Sequence, residues 1–274
     1  MRERGIPLIA VSAAWGGFWG SWSALLPAIK EQLGASTADL GLALSAVPVG
    51  AIPAMALAGR LAGGRERTAL IAVTVAFALS VAAIAPVGSP VALGLTLLLV
   101  GMASGALDIA LNLATGRAER EGGRRLFQAV HAAFPVAVIV AAPATGLARS
   151  LGMGTGAVLV TAAVIVLASS LSLLALRMGR GLPAAGGAGG RRRWRVAIVP
   201  AVLSRAAADD ASGVLVSTVS AISYTGFVIS PLLVAALTAR VGLPGALAAL
   251  GLLAVPLVVG HLGARTENCR PLRQ

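Results

Sequence analysis

Uncharged apolar runs of about twenty residues or more recur along this chain, and they constrain its fold more than any motif does. A helix needs about 20 apolar residues to cross a bilayer's hydrocarbon core. Charged residues mark where each run ends. Gly5–Ile29 stops at Lys30 and Glu31, and Leu40–Gly59 stops at Arg60. Thr68–Leu107 is long enough for two spans, divided at Val87-Gly88-Ser89-Pro90, a turn by composition. The second of these is expected to continue past Asp108 to about Thr115. Leu126–Ala148 and Ser150–Leu176 are separated by Arg149, and Ala211–Ala239 and Val241–Gly260 by Arg240. Ser36-Thr37-Ala38-Asp39 reads as an N-cap segment ahead of the second run. Val196–Ser204 is too short to span and is expected to lie at the interface or pack on the bundle. Lipid forbids open strand edges, and the runs have helix lengths rather than those of short alternating strands. The fold class is therefore all-α. It is a polytopic membrane helix bundle of about eight transmembrane helices, six then two.

Composition agrees. The 274 residues are 57% hydrophobic and 12% charged, against about 25% charged in soluble domains. A water-exposed surface of that kind aggregates, whereas lipid tails solvate it. The formal net charge is +12, which in a soluble chain would point to nucleic acid. Here the arginines cluster between apolar runs, as in cytoplasmic loops, and aromatic residues for base stacking are scarce. Nucleic-acid binding is not expected. Placing the N-terminus inside puts nineteen Lys and Arg on that side and only Lys30, Arg149 and Arg240 outside. The positive-inside rule then sets both termini in the cytoplasm. The first run is too long for a signal-peptide core of about 7–15 residues and reads as a retained helix. Cys269 has no partner for a disulfide.

Three segments follow. Residues 1–178 form a six-helix part. Residues 179–197 form a Gly- and Arg-rich cytoplasmic linker, in which Arg191-Arg192-Arg193-Trp194-Arg195 reads as a topology signal with an interfacial anchor, or as a patch for anionic lipids. Residues 198–274 hold a short stub and two helices.

Asp108 says most about function. A carboxylate at a helix centre costs about 2.5–3.5 kcal/mol on insertion scales, so it faces a bundle interior or a wet cavity. Asn112 lies four residues on, and Gly105 and Gly101 continue that face. His131 on the fifth span is expected at about the same depth, where an Asp–His pair could exchange protons. The plain alternative is that all three only hydrogen-bond the helices together. Trp15, Trp19 and Trp22 form one stripe of the first span, beside a stripe of Gly16 and Gly20. Such a stripe either packs or stacks on a ligand such as a sugar ring. Pro48, Pro53 and Pro231 lie inside spans and should kink them. His261 reads as interfacial, and Asp209-Asp210 as solvated helix capping. There is no HExxH pair, Walker loop, nucleophile elbow or catalytic carboxylate pair, so an enzyme, a metal site or a cofactor is not expected.

These residues also resemble a family. Trp19-Gly20-Ser21-Trp22 through Leu26-Pro27-Ala28-Ile29-Lys30, then Leu40-Gly41-Leu42-Ala43, is similar to the opening of a bacterial branch of the major facilitator superfamily. That branch is often grouped with fucose-type sugar permeases. Asp108-Ile109-Ala110-Leu111-Asn112, Glu119 and Phe127-Gln128-Ala129-Val130-His131-Ala132-Ala133-Phe134 resemble its fourth and fifth helices. Ser223-Tyr224-Thr225-Gly226-Phe227-Val228-Ile229-Ser230-Pro231 resembles its penultimate helix. The family has twelve helices in two six-helix halves, so about four helices of the second half are missing here. The family's loop after helix two has an Asp followed by basic residues and helps hold the inward gate closed. In Gly59-Arg60-Leu61-Ala62-Gly63-Gly64-Arg65-Glu66-Arg67 this chain keeps the basic charge of Arg60, Arg65 and Arg67 but has Gly where Asp is expected, and Pro135 stands where the family has small residues.

The resemblance implies a secondary active transporter in the cytoplasmic membrane of a bacterium. It would carry a small polar solute, such as a sugar, with proton coupling through Asp108. Asn112, His131 and the three Trp would support the site, and Arg60, Arg65 and Arg67 would serve the gate. A homo-oligomer is one way to supply a missing wall. The alternatives are an internally deleted, transport-inactive permease remnant and a membrane partner-binding subunit.

Overall fold

The computed structural model describes residues 5–122 and 125–176. They form α1 (Gly5–Gln32), α2 (Thr37–Leu61), α3 (Glu66–Ala82), α4 (Pro90–Gly122), α5 (Phe127–Ser150) and α6 (Thr155–Ser172), closed by a 3-10 turn at Leu173–Ala175. There is no strand among the described residues. The linker, the stub Val196–Ser204 and the last two expected spans lie outside them. Four helices, α2, α4, α5 and α6 with its turn, are long and apolar enough to cross a membrane. Helix α1 has 28 residues, but three Trp and many Gly and Ser lower its hydropathy. Helix α3, with 17 residues, stands at the short end of the spanning range.

Local signals explain the boundaries. Ser36 caps α2 in a capping box, its Oγ accepting from Asp39 N at 3.1 Å while Asp39 accepts from Ser36 N at 3.0 Å. The Ser36 hydrogen bonds hold the Asp39 carboxyl below its ordinary pKa. Gly34 and Gly152 take the left-handed conformation that closes α1 and α5. Ala35 N reaches back to Lys30 O, and Met153 N to Ala148 O, each at 3.0 Å. That turn is why α6 starts at Thr155 rather than at Ser150. Helix α4 runs to Gly122, beyond the expected Thr115, because Arg117 pairs with Glu121 one turn on at 2.9 Å and steadies the extra turns.

Packing follows small residues. Each turn reverses the chain, so α1, α3 and α5 run one way and α2, α4 and α6 the other. Helix α1 packs mainly on α5 and α6, α4 packs mainly on α2 and α3, and α3 packs on α6. Exchanging α1 with α4, α2 with α5 and α3 with α6 leaves this pattern unchanged. The two main contacts share one chemistry. On α1, a Cβ at Gly16 would stand 2.2 Å from Phe134 O of α5, and one at Gly20 would stand 2.5 Å from Val138 O. On α4, a Cβ at Gly101 would stand 2.1 Å from Val47 O of α2, and one at Gly105 would stand 2.6 Å from Ala51 O. Both are small-xxx-small stripes that bring two backbones together, as membrane helices do where burial from water gives no drive. Ser12 extends the α1 stripe by donating to Val130 O at 2.5 Å.

Gly16→Ala and Gly101→Ala should each force two backbones apart and cost about 1–3 kcal/mol. Gly17→Ala meets nothing within 4 Å and should be neutral or slightly stabilising. Thermal unfolding of the purified protein checks the order. Equal midpoints for all three variants would contradict the packing.

Candidate functional site

One group of interior polar residues lies on α1, α4 and α5. Trp15 defines a layer. Its indole N–H donates to Ser104 Oγ of α4 at 3.0 Å, and its ring meets Phe134 of α5 edge-on at 4.7 Å. A buried indole needs such an acceptor. Asp108 lies one turn beyond Ser104 on α4, and His131 lies three residues before Phe134 on α5. These steps are about 4–6 Å of rise in the same direction, so Asp108 and His131 lie at similar levels along the two helices. Asn112 Nδ2 donates to Asp108 Oδ1 at 3.1 Å. Asn112 is almost wholly buried and Asp108 is half-buried.

His131 is held differently. Its Nδ1 meets Phe127 O of its own helix at 3.0 Å, and its ring tilts against Phe127 at 5.5 Å. The structure thus brings Asp108 and Asn112 together and sets His131 at their level on the neighbouring helix. The Trp stripe divides in the same way. Trp15 and Trp22 are buried, and Trp22 stacks with Phe18 at 6.2 Å. Trp19 is half-buried, with Phe18 edge-on at 5.1 Å, and is the one of the three with a ring face less fully enclosed.

One end of the bundle carries the charge. Arg60 closes α2 and Arg65 precedes α3, both exposed. Arg67 works inside the fold, donating from Nε to Leu173 O at 3.1 Å and from Nη2 to Leu174 O at 2.7 Å. A cation there satisfies carbonyls that the end of α6 leaves without partners. The residue that sequence reasoning missed is Glu66. It is buried, accepts from Gly64 N at 3.1 Å, and pairs with Arg117 of α4 at 2.6 Å. This loop therefore carries its carboxylate at Glu66. The signal was present, since Glu66 is the only acid between Arg60 and Arg67. Glu119 was also passed over as a structural group. Its carboxylate accepts from Leu126 N and, at 2.8 Å, from Phe127 N, which caps α5 from the end of α4. Among the described residues no cluster of His, Cys, Asp and Glu could hold a metal ion.

No protein-family model matches the chain. An uncharacterized MFS-type transporter of Yersinia pestis is 31% identical over 168 residues, which is 60% of this chain and 43% of that protein. An uncharacterized transporter of Sinorhizobium fredii is 28% identical over 125 residues, 45% of this chain and 33% of its own length. The chain thus spans less than half the length of the curated relatives it matches. With four helices among the described residues long and apolar enough to cross a membrane, these likenesses mark a multi-pass membrane protein similar to transporters.

Arg117→Ala should strand Glu66 in a buried site and lower stability by about 1–3 kcal/mol or more. Replacing both residues by apolar ones of similar size should recover most of the loss. Unfolding midpoints of the single and double variants measure this. A double variant no better than Arg117→Ala would contradict the pairing.

Proposed function

We propose that this chain is a secondary active transporter of the major facilitator superfamily that moves a small polar solute across the bacterial cytoplasmic membrane, with proton coupling through Asp108. The observation that carries the reading is the Asp108–Asn112 pair, inside an apolar helix long enough to span. A carboxylate is expensive there and its retention argues for use. Asp108 takes and releases the proton, and Asn112 orients its carboxylate. His131, at the same depth, is a second titrating group beside the path. Trp19 offers a ring face for an apolar side of the solute, which suits a sugar, as in the fucose-type branch that the sequence resembles.

The helix pairing supports the family. An arrangement unchanged by exchanging α1–α3 with α4–α6, whose members run in opposite directions, is that of the inverted three-helix repeats nested in each half of such transporters. The arginine-rich end is the cytoplasmic one by charge bias. There Arg60, Arg65 and Arg67 serve the inner gate, with Glu66 as the carboxylate of the loop. In this reading residues 1–178 are one transporter half. Residues 198–274 supply the end of the other, across a cytoplasmic linker at 179–197, and both termini are inside. A second copy of the chain is the partner that would complete the wall. The solute and the bilayer are its other partners. No cofactor, metal, enzymatic step or nucleic acid enters the mechanism.

The loop at residues 59–67, with Gly where the resemblance calls for Asp, and the helices missing relative to that family favour a second reading, namely an internally deleted and transport-inactive remnant or a partner-binding membrane subunit. Ligand-dependent stability separates the two. A solute that binds only the folded chain adds RT ln(1 + [L]/Kd), about 2.7 kcal/mol at a hundredfold excess. The transporter reading expects one class of polar solute to raise the unfolding midpoint, with the shift weakened by Asp108→Asn. A transition that ignores every sugar and other small solute tried would move the balance to the second reading.

A further inference from the structure

The repeat pattern makes one difference between the two central helices conspicuous. Helix α1 floors the valley between α5 and α6, as α4 floors the valley between α2 and α3. With Gly16 and Gly20 matched to Gly101 and Gly105, residues 85 apart correspond. At four such positions α4 carries Leu95, Leu98, Leu99 and Met102. Helix α1 carries Ala10, Ala13, Ala14 and Gly17 instead. Among the described residues the result is an open cavity of about 570 Å³ between α1, α5 and α6.

Its shape and chemistry select the occupant. The floor runs from Ala10 to Ser21, roughly 16 Å of helix rise. A groove of that length and volume accepts a hydrocarbon chain. The hydroxyls on the lining are already engaged. Thr145 donates to Ser21 at 2.9 Å, Thr161 to Ala157 O at 2.8 Å and Ser169 to Val166 O at 2.6 Å. The walls thus suit an apolar chain better than a polar solute. At one end stands Arg149, whose Nη1 donates at 2.7 Å to the carbonyl of Met153, itself a lining residue. A guanidinium at the mouth of an apolar channel complements a phosphate.

We propose that the α1–α5–α6 groove is a specific lipid site, which holds one acyl chain of an anionic glycerophospholipid with its phosphate at Arg149. The site requires only that the helices lie in a bilayer and is independent of the transport reading. It would hold this lipid in the leaflet opposite the arginine-rich end and keep α5 and α6 apart over the floor of α1.

The test is native mass spectrometry of the detergent-purified chain, titrated with dioleoyl phosphatidylglycerol or dioleoyl phosphatidylcholine. The wild type should bind one phosphatidylglycerol at least tenfold more tightly than phosphatidylcholine. Ala13→Leu with Gly17→Met, which gives α1 the side chains of α4, should weaken both lipids at least tenfold. Gly41→Met, which adds similar bulk on α2 where nothing lies within 4 Å, should not. Arg149→Gln should leave phosphatidylcholine binding unchanged and abolish the preference for phosphatidylglycerol. That last comparison stands even if the filled variant fails to fold. Lipid binding that survives filling, a preference that survives Arg149→Gln, or a dimer that filling dissolves would each overturn the proposal.

Discussion

Helices in a bilayer gain little from hiding apolar side chains, because the surroundings are as apolar as they are. This fold answers that constraint by bringing backbones together. At Gly16 and Gly20 helix α1 meets the carbonyls of Phe134 and Val138, and at Gly101 and Gly105 helix α4 meets those of Val47 and Ala51. In each case no side chain larger than hydrogen fits. These two contacts place α1 and α4 at the centre and leave α2 and α5 largely exposed at the sides, with α3 and α6 packed on each other.

The polar groups then fall where the central helices put them. Once α1 is seated on α5, the Trp15 indole reaches Ser104 and the Phe134 ring, which sets a layer across three helices. Asp108 and His131 follow one turn further on, from opposite directions along their chains. At the charged end the same helices bring α3 and α4 close enough for Glu66 and Arg117 to meet, and Arg67 reaches the last turn of α6. A carboxylate–carboxamide pair in the interior and a hydrogen-bonded lattice of charges at one end are thus two products of one packing scheme.

Much of this was legible from residue order alone. Uncharged run lengths placed all six described helices, and Ser36 to Asp39 announced its capping box. The Asp108–Asn112 contact follows directly from a spacing of four on a helix. The ends of α4 and α6 were less clear. Hydropathy stops counting where charge begins, so it could not see that Arg117 and Glu121 carry α4 two turns further. Glu66 was missed because its importance depends on a partner 51 residues away. The Trp stripe was recognised as a stripe, but its division into two buried rings and one half-buried ring depends on where Ser104, Phe134 and Phe18 come to lie. The two glycine stripes were each visible. Their equal spacing gains meaning only when both are seen to face a backbone.

The central claim is that a proton and a solute cross together by way of α4. The direct measurement is internal pH in sealed proteoliposomes that contain the purified chain, after an inward gradient of the bound solute is imposed with the membrane potential clamped. Coupled entry predicts internal acidification that begins with the solute gradient and is absent when Asp108 is replaced by Asn. A solute that binds the wild type yet neither enters the vesicles nor moves their pH would contradict the account.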